Sequence, residues 1–208
     1  SYRGAIGRVL AYIRAGDTYQ VNYTLKYRFD YDGHPLRIYQ QLRARQRVEY
    51  GALIRLPDQW VLSLSPELFF KRSGEEVSAK PMKGTSKRGS LPHEDMMRGA
   101  WLKEDAKNLA ENVMIVDLIR NDLGRLALVG SVKVDPLFEI ETYQTVLQMT
   151  STVRAHVPRE VSTLRLLREL FPCGSITGAP KIRTMEIIRE LEAEPRGLYT
   201  GAIGVIEP

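Results

Sequence analysis

Lys83 is the side chain of this sequence best placed to do covalent chemistry. It lies in the segment AKPMKGTSKRG (residues 79–89), close to Lys80, Lys87 and Arg88. A lysine with the ordinary pKa of about 10.4 is protonated near neutral pH and is not a nucleophile. Because neighbouring cations and partial burial both disfavour the ammonium form, we predict that the pKa of Lys83 is lowered and that its amine is nucleophilic. A solvated basic loop is the alternative.

Glu67 is a candidate general acid. It follows Ser65 and Pro66 and comes directly before the apolar run Leu68–Phe70. A carboxyl group at the end of an apolar strand is poorly solvated, which raises its pKa and lets it carry a proton near neutral pH. The alternative is a solvated glutamate that begins a strand.

Glu111 is a candidate metal ligand within the segment ENVMIVDLIRND (residues 111–122). Read as a helix, this region places several residues on one face, at spacings of three and four: Asn108, Glu111, Ile115, Leu118 and Asp122. A carboxylate on that partly apolar face needs a partner, and Mg²⁺ prefers oxygen ligands. A helix with salt bridges to Arg120 or Arg125 is the alternative.

The segment GSITGAPK (residues 174–181) precedes an amphipathic stretch and predicts free backbone N–H groups at a helix start, which favour an anion. Lys181 does not have the spacing of a phosphate-binding P-loop, and the glycines do not match a dinucleotide fingerprint. A small carboxylate is therefore the expected ligand, and a capped turn without ligand is the alternative.

The elements that must position these residues predict one α+β domain over residues 1–208. The helical patterns cover residues 1–16, 35–45, 93–124, 162–170 and 182–191, and the extended patterns cover residues 18–31, 51–85, 131–157 and 199–208. Short polar connections in residues 51–85 indicate an antiparallel meander. In residues 18–31 the tyrosines alternate with polar residues and share a face with valine, leucine and phenylalanine, which predicts a core strand.

Composition narrows the class of protein. The hydrophobic fraction of 43% and the charged fraction of 26% are ordinary for a globular domain. The single Cys173 excludes an internal disulfide and favours the cytoplasm, and no run approaches the roughly 18 apolar residues of a membrane span. The net charge of +5 favours anionic partners, either a dicarboxylate metabolite or a phosphate backbone.

The order of the motifs along the chain resembles the chorismate-binding enzyme family over nearly all 208 residues. The segments that carry the resemblance are GDTYQVNYT, SPELFF, PMKGT, ENVMIVDLIRNDLGR, QMTSTV, GSITGAPKIRTMEIIRELE and YTGAIGV. The resemblance implies chorismate as substrate. It also implies an α+β layered sandwich in which antiparallel sheets are flanked by helices.

Within the family, PMKGT is similar to the P-x-K-G-T motif of the aminodeoxychorismate synthases, whose lysine attacks C2 of chorismate and expels the 4-hydroxyl. Anthranilate and isochorismate synthases typically have alanine at the position of Lys83, and isochorismate and salicylate synthases have lysine at that of Gln20. The resemblance thus implies amination of chorismate for 4-aminobenzoate and folate biosynthesis, with ammonia supplied from glutamine by a partner amidotransferase. Anthranilate synthase component I is the alternative enzyme, and a basic nucleic-acid-binding module is the alternative from another class.

The resemblance also implies roles for individual residues. Lys83 would be the nucleophile, Glu67 the general acid and Glu111 the ligand of Mg²⁺. The implied substrate-binding residues are Gln20, Gly84, Thr85, Ser175 and Tyr199. No nucleic acid or membrane partner is expected.

The sequence departs from the family pattern at several points. Gln148 and Asn108 stand where anthranilate synthases tend to have histidine and an acidic residue. The family continues past YTGAIGV with a substrate-binding arginine and a second metal-binding glutamate. We therefore expect a chain truncated at both ends, with little or no turnover, whose final strand (residues 199–206) tends to pair with another copy.

Overall fold

The computed structural model of the protein describes residues 1–207. Its helices are α1 (Tyr2–Arg14), α2 (Pro35–Arg45), α3 (Pro92–Glu104), α4 (Ala106–Gly124), α5 (Thr163–Leu170), α6 (Gly174–Thr177) and α7 (Lys181–Leu191). Its strands are β1 (Gln20–Val21), β2 (Tyr50–Arg55), β3 (Trp60–Ser65), β4 (Leu68–Ser73), β5 (Glu76–Lys80), β6 (Met82–Lys87), β7 (Lys133–Val134), β8 (Glu139–Thr142), β9 (Val146–Thr150), β10 (Val153–His156) and β11 (Gly178–Ala179). The predicted α+β class is confirmed.

All strand pairs are antiparallel, as the short connections predicted. A four-stranded sheet has the order β4-β5-β10-β7, and a three-stranded sheet has the order β6-β9-β8. Two further pairs are β2 with β3 and β1 with β11. Because β5 continues into β6 through Pro81 alone, the two larger sheets adjoin at this point of the chain.

Helix α4 packs against the four-stranded sheet and forms the main core with it. Ile115, Ile119 and Leu123 lie on the buried face of α4, and Val77 and Val153 meet them from β5 and β10. Burial of a large aliphatic side chain stabilises the fold by about 1.5–3 kcal/mol. The core therefore fixes α4 relative to the junction of β5 and β6, where Lys83 lies.

The single helix predicted for residues 93–124 is wrong, because the chain forms two helices there. Asp105 separates α3 from α4 with an extended backbone, and its carboxylate accepts a hydrogen bond from the Asn108 backbone N–H at 2.9 Å. An aspartate at this position satisfies an N–H group that has no partner within the helix. The local cap thus overrides the continuous helical pattern.

The core strand predicted for residues 18–31 is also wrong beyond Val21. The Asn22 backbone N–H donates to the Thr177 carbonyl, and the side chains of Tyr27 and Phe29 are 86% and 74% exposed. A strand needs a neighbour that accepts its ladder hydrogen bonds, and within residues 1–207 no strand pairs with residues 22–31. Apolar and polar residues do alternate in this segment, but no neighbouring strand within residues 1–207 pairs with it, so it does not form a strand.

The final segment likewise forms no strand in residues 201–207, so the predicted strand at 199–208 is wrong for the part that the structure describes, while Pro208 lies outside it. Its apolar side chains are exposed, with Val205 86% and Ile206 81% accessible to solvent. Here too no strand within residues 1–207 pairs with the segment. Separately, none of the helices within residues 1–207 has the length and apolar character needed to cross a membrane.

Candidate active site

Lys83 lies where the register of β6 against β9 is irregular. Met82 pairs with Thr150 and Thr85 pairs with Gln148, and the register shifts between them. Gly84 has a φ of +99°, and an added Cβ would lie only 3.2 Å from the Cβ atoms of Asn108 and Met149. Only glycine adopts this backbone without strain and leaves that contact open. Bulges of this kind redirect side chains next to active sites.

The backbone of Lys83 is held by a buried polar pair. The Asn112 side-chain amide donates to the Lys83 carbonyl at 3.3 Å, and the Ser151 hydroxyl donates to the Asn112 carboxamide oxygen at 2.6 Å. Asn112 and Ser151 are fully buried. Since buried polar groups without partners are costly, this network specifies one conformation of the bulge.

The amine of Lys83 is partly buried and contacts two uncharged oxygens. Nζ donates to the Ser175 carbonyl at 2.9 Å and to the Asn22 carboxamide oxygen at 3.3 Å. Burial lowers the pKa of Lys83, and the negative charges of Glu67, Glu111 and Cys173 oppose that shift. The predicted direction of the shift is therefore confirmed.

The predicted cause of that shift is wrong in one respect, because no cation is among its causes and two of the three neighbouring cations are paired with carboxylates. Lys80 forms an ion pair with Glu141, and the Arg88 guanidinium donates to the Asp95 carboxylate at 2.7 Å. Their charges are compensated by these carboxylates, so desolvation is what disfavours the ammonium form of Lys83.

Glu67 lies at the start of β4 and faces the same region as Lys83. Burial raises the pKa of its carboxyl group, while the Ser175 hydroxyl, the charge of Lys83 and the Met82 backbone amide oppose the shift. Its Oε1 atom is buried and has no hydrogen-bond partner within residues 1–207. The raised pKa predicted from the apolar strand is confirmed. Lys83 and Glu67 thus form an amine and acid pair whose pKa values are shifted toward the uncharged forms.

Glu111 lies on α4, and its charge acts on Lys83. Its carboxylate is about one-third exposed and is 3.8 Å from the Lys107 ammonium, so it is only loosely paired. Within residues 1–207 no three histidine, cysteine, aspartate or glutamate side chains gather around a common point. Mg²⁺ is often held by one or two carboxylates together with water and substrate oxygens, so Glu111 fits the part of a single protein ligand.

The comparison with known proteins agrees with this geometry. A family model described as chorismate binding enzyme matches residues 1–208. The chain belongs to the chorismate-binding enzyme family.

The chain is similar in sequence to two curated proteins and in structure to one crystal structure. Aminodeoxychorismate synthase component 1 of Escherichia coli (strain K12) is 44% identical over 199 residues, which are 96% of this chain and 44% of that protein. Anthranilate synthase component 1 1 of Haloarcula marismortui is 40% identical over 205 residues, 99% of this chain and 42% of that protein. The crystal structure of anthranilate synthase component I from Streptococcus pneumoniae TIGR4 has a TM-score of 0.85 at 33% identity, and the match covers 97% of this chain and 44% of that one. The chain thus spans less than half the length of these relatives.

The structure brings some of the substrate-binding candidates together and leaves others apart. The Ser175 carbonyl contacts Lys83, Gly84 forms the bulge, and Gln20 in β1 has a buried Oε1 atom without a hydrogen-bond partner within residues 1–207. Thr85 is exposed and donates to Gln148 Oε1 at 2.8 Å. Tyr199 is 55% exposed and lines a cavity of about 570 Å³ that neither Lys83 nor Glu67 lines.

In the segment GSITGAPK, where an anion site was predicted, two residues are engaged by other protein groups. Ser175 offers its carbonyl oxygen to Lys83, and Lys181 forms a buried ion pair with Asp122 at 2.5 Å. Asp122 is therefore occupied by a protein cation. An anion at this segment stays a prediction.

Sequence reasoning missed Asn22, Asn112 and Cys173. Asn22 follows Gln20 by two residues, so the strand period could have placed both side chains on one face. Cys173 Sγ lies 3.1 Å from the Ser175 hydroxyl, and Asn112 holds the Lys83 carbonyl. No sequence signal connects these two residues with Lys83, because their approach to Lys83 depends on the tertiary fold.

Proposed function

We propose that the protein containing this chain is an aminodeoxychorismate synthase component I, which converts chorismate and ammonia to 4-amino-4-deoxychorismate. The observation that carries the proposal is Lys83, a partly buried amine between two uncharged acceptors and beside Glu67. An amine with a lowered pKa is a nucleophile, and this is what the P-x-K-G-T resemblance requires. The 44% identity to the aminodeoxychorismate synthase component 1 of Escherichia coli supports the same branch of the family.

The arrangement accounts for each proton of the first step. The neutral amine of Lys83 forms a bond to C2 of chorismate, both conjugated ring double bonds shift by one position toward C4, and the C4–O bond breaks. The proton of Glu67 goes to the departing hydroxyl, which leaves as water. Lys83 then carries the positive charge of a substituted ammonium, and Glu67 is left as a carboxylate.

The second step restores both residues. Ammonia forms a bond to C4, both double bonds shift back, and the electrons of the C2–N bond return to Lys83 as it leaves. The proton lost by the new ammonium group returns to Glu67. Chorismate and ammonia thus give 4-amino-4-deoxychorismate and water.

The proposal also includes a metal ion, a source of ammonia and a cellular location. Mg²⁺ held by Glu111 would provide positive charge against a carboxylate of chorismate. Ammonia would come from glutamine through a partner amidotransferase, for 4-aminobenzoate and folate biosynthesis. A location in the cytoplasm belongs to the same proposal and is supported by the unpaired Cys173.

Product analysis of the full-length protein tests this function. With chorismate, ammonium and Mg²⁺, we expect 4-amino-4-deoxychorismate as the main product. A sample quenched during turnover should carry a chorismate-derived mass on the peptide that contains Lys83. The variant Lys83→Ala should lack that adduct, whereas Lys87→Ala at a nearby exposed lysine should retain it. Anthranilate and pyruvate as main products would assign the protein to anthranilate synthase instead.

That the 208 residues alone turn over little or no chorismate stays a prediction. It is tested by measuring chorismate consumption by this chain under the same conditions. A rate close to that of the full-length protein would contradict it.

We expect Glu111→Gln in the full-length protein to raise the Mg²⁺ concentration needed for half-maximal turnover by at least about tenfold. Loss of the charged oxygen weakens the proposed contact between Glu111 and the ion. Titration of the rate with Mg²⁺ measures the effect. The matched control is Glu104→Gln, which removes an exposed carboxylate from the neighbouring helix α3. An unchanged Mg²⁺ dependence in Glu111→Gln would exclude Glu111 as a ligand.

A further inference from the structure

Asn22 is the second residue, besides Ser175, that accepts a hydrogen bond from the amine of Lys83. Its carboxamide oxygen accepts from Lys83 Nζ at 3.3 Å. Its own backbone is fixed at two points, because the Asn22 N–H donates to the Thr177 carbonyl at 2.8 Å and Arg196 Nη2 donates to the Asn22 carbonyl at 2.6 Å. The carboxamide is therefore presented to Lys83 from an anchored segment.

The two acceptors around Nζ determine where the amine can react. A neutral amine has two N–H groups and one lone pair. When the Ser175 carbonyl and the Asn22 carboxamide oxygen accept the two N–H groups, the lone pair points away from both of them. Both acceptors are uncharged, so they direct the amine without the stabilisation of the ammonium form that a carboxylate in contact with it would provide.

The other end of the Asn22 side chain has no partner. Nδ2 is buried and makes no hydrogen bond within residues 1–207, and the same holds for Gln20 Oε1 and Glu67 Oε1. Buried polar atoms in folded proteins are nearly always paired, so an unpaired donor beside a reactive amine indicates a ligand oxygen. Gln20 lies two residues before Asn22 and on the same face of the extended segment, which places a second unpaired atom near it.

We propose that Asn22 is both a positioning residue for Lys83 and a substrate-binding residue. Its carboxamide oxygen orients the amine, and its Nδ2 donates a hydrogen bond to a substrate oxygen next to the carbon that Lys83 attacks. The second part rests on the proposed function, and the first part does not. One short side chain then aligns the nucleophile and the substrate relative to each other.

The variant Asn22→Asp tests the positioning role, because it keeps the shape and places a negative charge against the amine. The other titratable groups that act on Lys83 are Glu67, Glu111 and Cys173, and the variant leaves them in place. An opposite charge at contact distance stabilises the ammonium, so we expect the pKa of Lys83 to rise by about 1–3 pH units. Gln59→Glu is the matched control, since it adds the same charge at an exposed position of the β2–β3 turn.

The readout needs no activity. The full-length protein without substrate is treated with acetic anhydride over a range of pH, and acetylation of the Lys83 peptide is followed by mass spectrometry. Lys181, which is buried against Asp122, serves as an internal control in the same digest. Its continued protection shows that Asn22→Asp is folded, because an unfolded chain would expose both lysines. A Lys83 midpoint that is equal in Asn22→Asp, Gln59→Glu and the unchanged protein overturns the positioning role.

The variant Asn22→Leu tests the contact with substrate. Loss of the donor should raise KM for chorismate by about tenfold or more, and loss of the acceptor should lower kcat as well. Unchanged KM and kcat would overturn the contact. If the product is not 4-amino-4-deoxychorismate but the Lys83 midpoint still shifts in Asn22→Asp, the proposed function fails and the positioning role stands. If the product is 4-amino-4-deoxychorismate but the Lys83 midpoint does not shift, the proposed function stands and the positioning role of Asn22 fails.

Discussion

Replacing Glu67 with glutamine should lower kcat for chorismate amination by about 10²–10⁴-fold and change KM little. The amide keeps the shape of the carboxyl group but has no proton to give to the departing 4-hydroxyl. The loss therefore falls on the step in which the C4–O bond breaks. Steady-state kinetics of the full-length protein measure it, with Glu104→Gln as the control for loss of an exposed carboxylate. A decrease of less than about tenfold would remove Glu67 from the role of general acid.

The pH dependence gives the same prediction a second test. Lys83 is nucleophilic only when unprotonated, and its pKa is lowered, so kcat should fall as the pH decreases through a value below its ordinary 10.5. Glu67 donates only when protonated, and its pKa is raised, so kcat should fall as the pH increases through a value above its ordinary 4.5. The profile is therefore bell-shaped. In Glu67→Gln the fall at high pH should be absent, and its persistence would show that another group provides the proton.

Replacing Lys181 with methionine should reduce the free energy of unfolding by about 3–5 kcal/mol. Lys181 and Asp122 form a buried ion pair, with side chains 12% and 8% exposed, and the Lys181 ammonium also donates to the Leu170 carbonyl at 3.1 Å. Methionine keeps the apolar stem but leaves the Asp122 carboxylate buried without a counter-charge. The pair joins α4 to α7, so its loss loosens the packing of α7 on the core.

Chemical denaturation of the full-length protein measures this effect. The matched control is Arg120→Met, which breaks the exposed pair of Arg120 with Asp117 on α4 and should cost about 0–1 kcal/mol. The double variant Lys181→Met/Asp122→Leu should recover much of the stability, because no isolated charge then stays buried. Equal destabilisation by Lys181→Met and Arg120→Met would contradict the importance of burial for this pair.

The sequence allowed the chemistry of the site to be predicted, because that chemistry depends on residue types and local pattern. The apolar strand after Glu67 predicted a poorly solvated carboxyl, and the turn around Lys83 predicted an amine with a lowered pKa. The meander predicted for residues 51–85 is only partly correct: β2 pairs with β3 and β4 with β5, as short connections favour, but β6 pairs with the distant β9.

What could not be predicted depends on contacts between distant parts of the chain. Lys80 pairs with Glu141, so the cations that lie near Lys83 in sequence do not determine its pKa. Asn22 approaches Lys83 only because Thr177 and Arg196 hold its backbone. Residues 22–31 have the alternation of a strand. Strand pairing depends on two segments, so the pattern of one segment alone cannot predict it.

The pairing of Lys80 and Arg88 with carboxylates has a consequence for how the site responds to dissolved salt. Ions screen exposed charges over roughly 8–10 Å at physiological concentration, whereas they do not change the cost of placing an ammonium in a poorly solvated position. A nucleophile kept neutral by a ring of cations would regain its proton as ionic strength rises. The pKa of Lys83 is lowered by desolvation, so this shift is maintained when the ion content of its surroundings changes, while the attraction of an anionic substrate toward the site is what salt weakens.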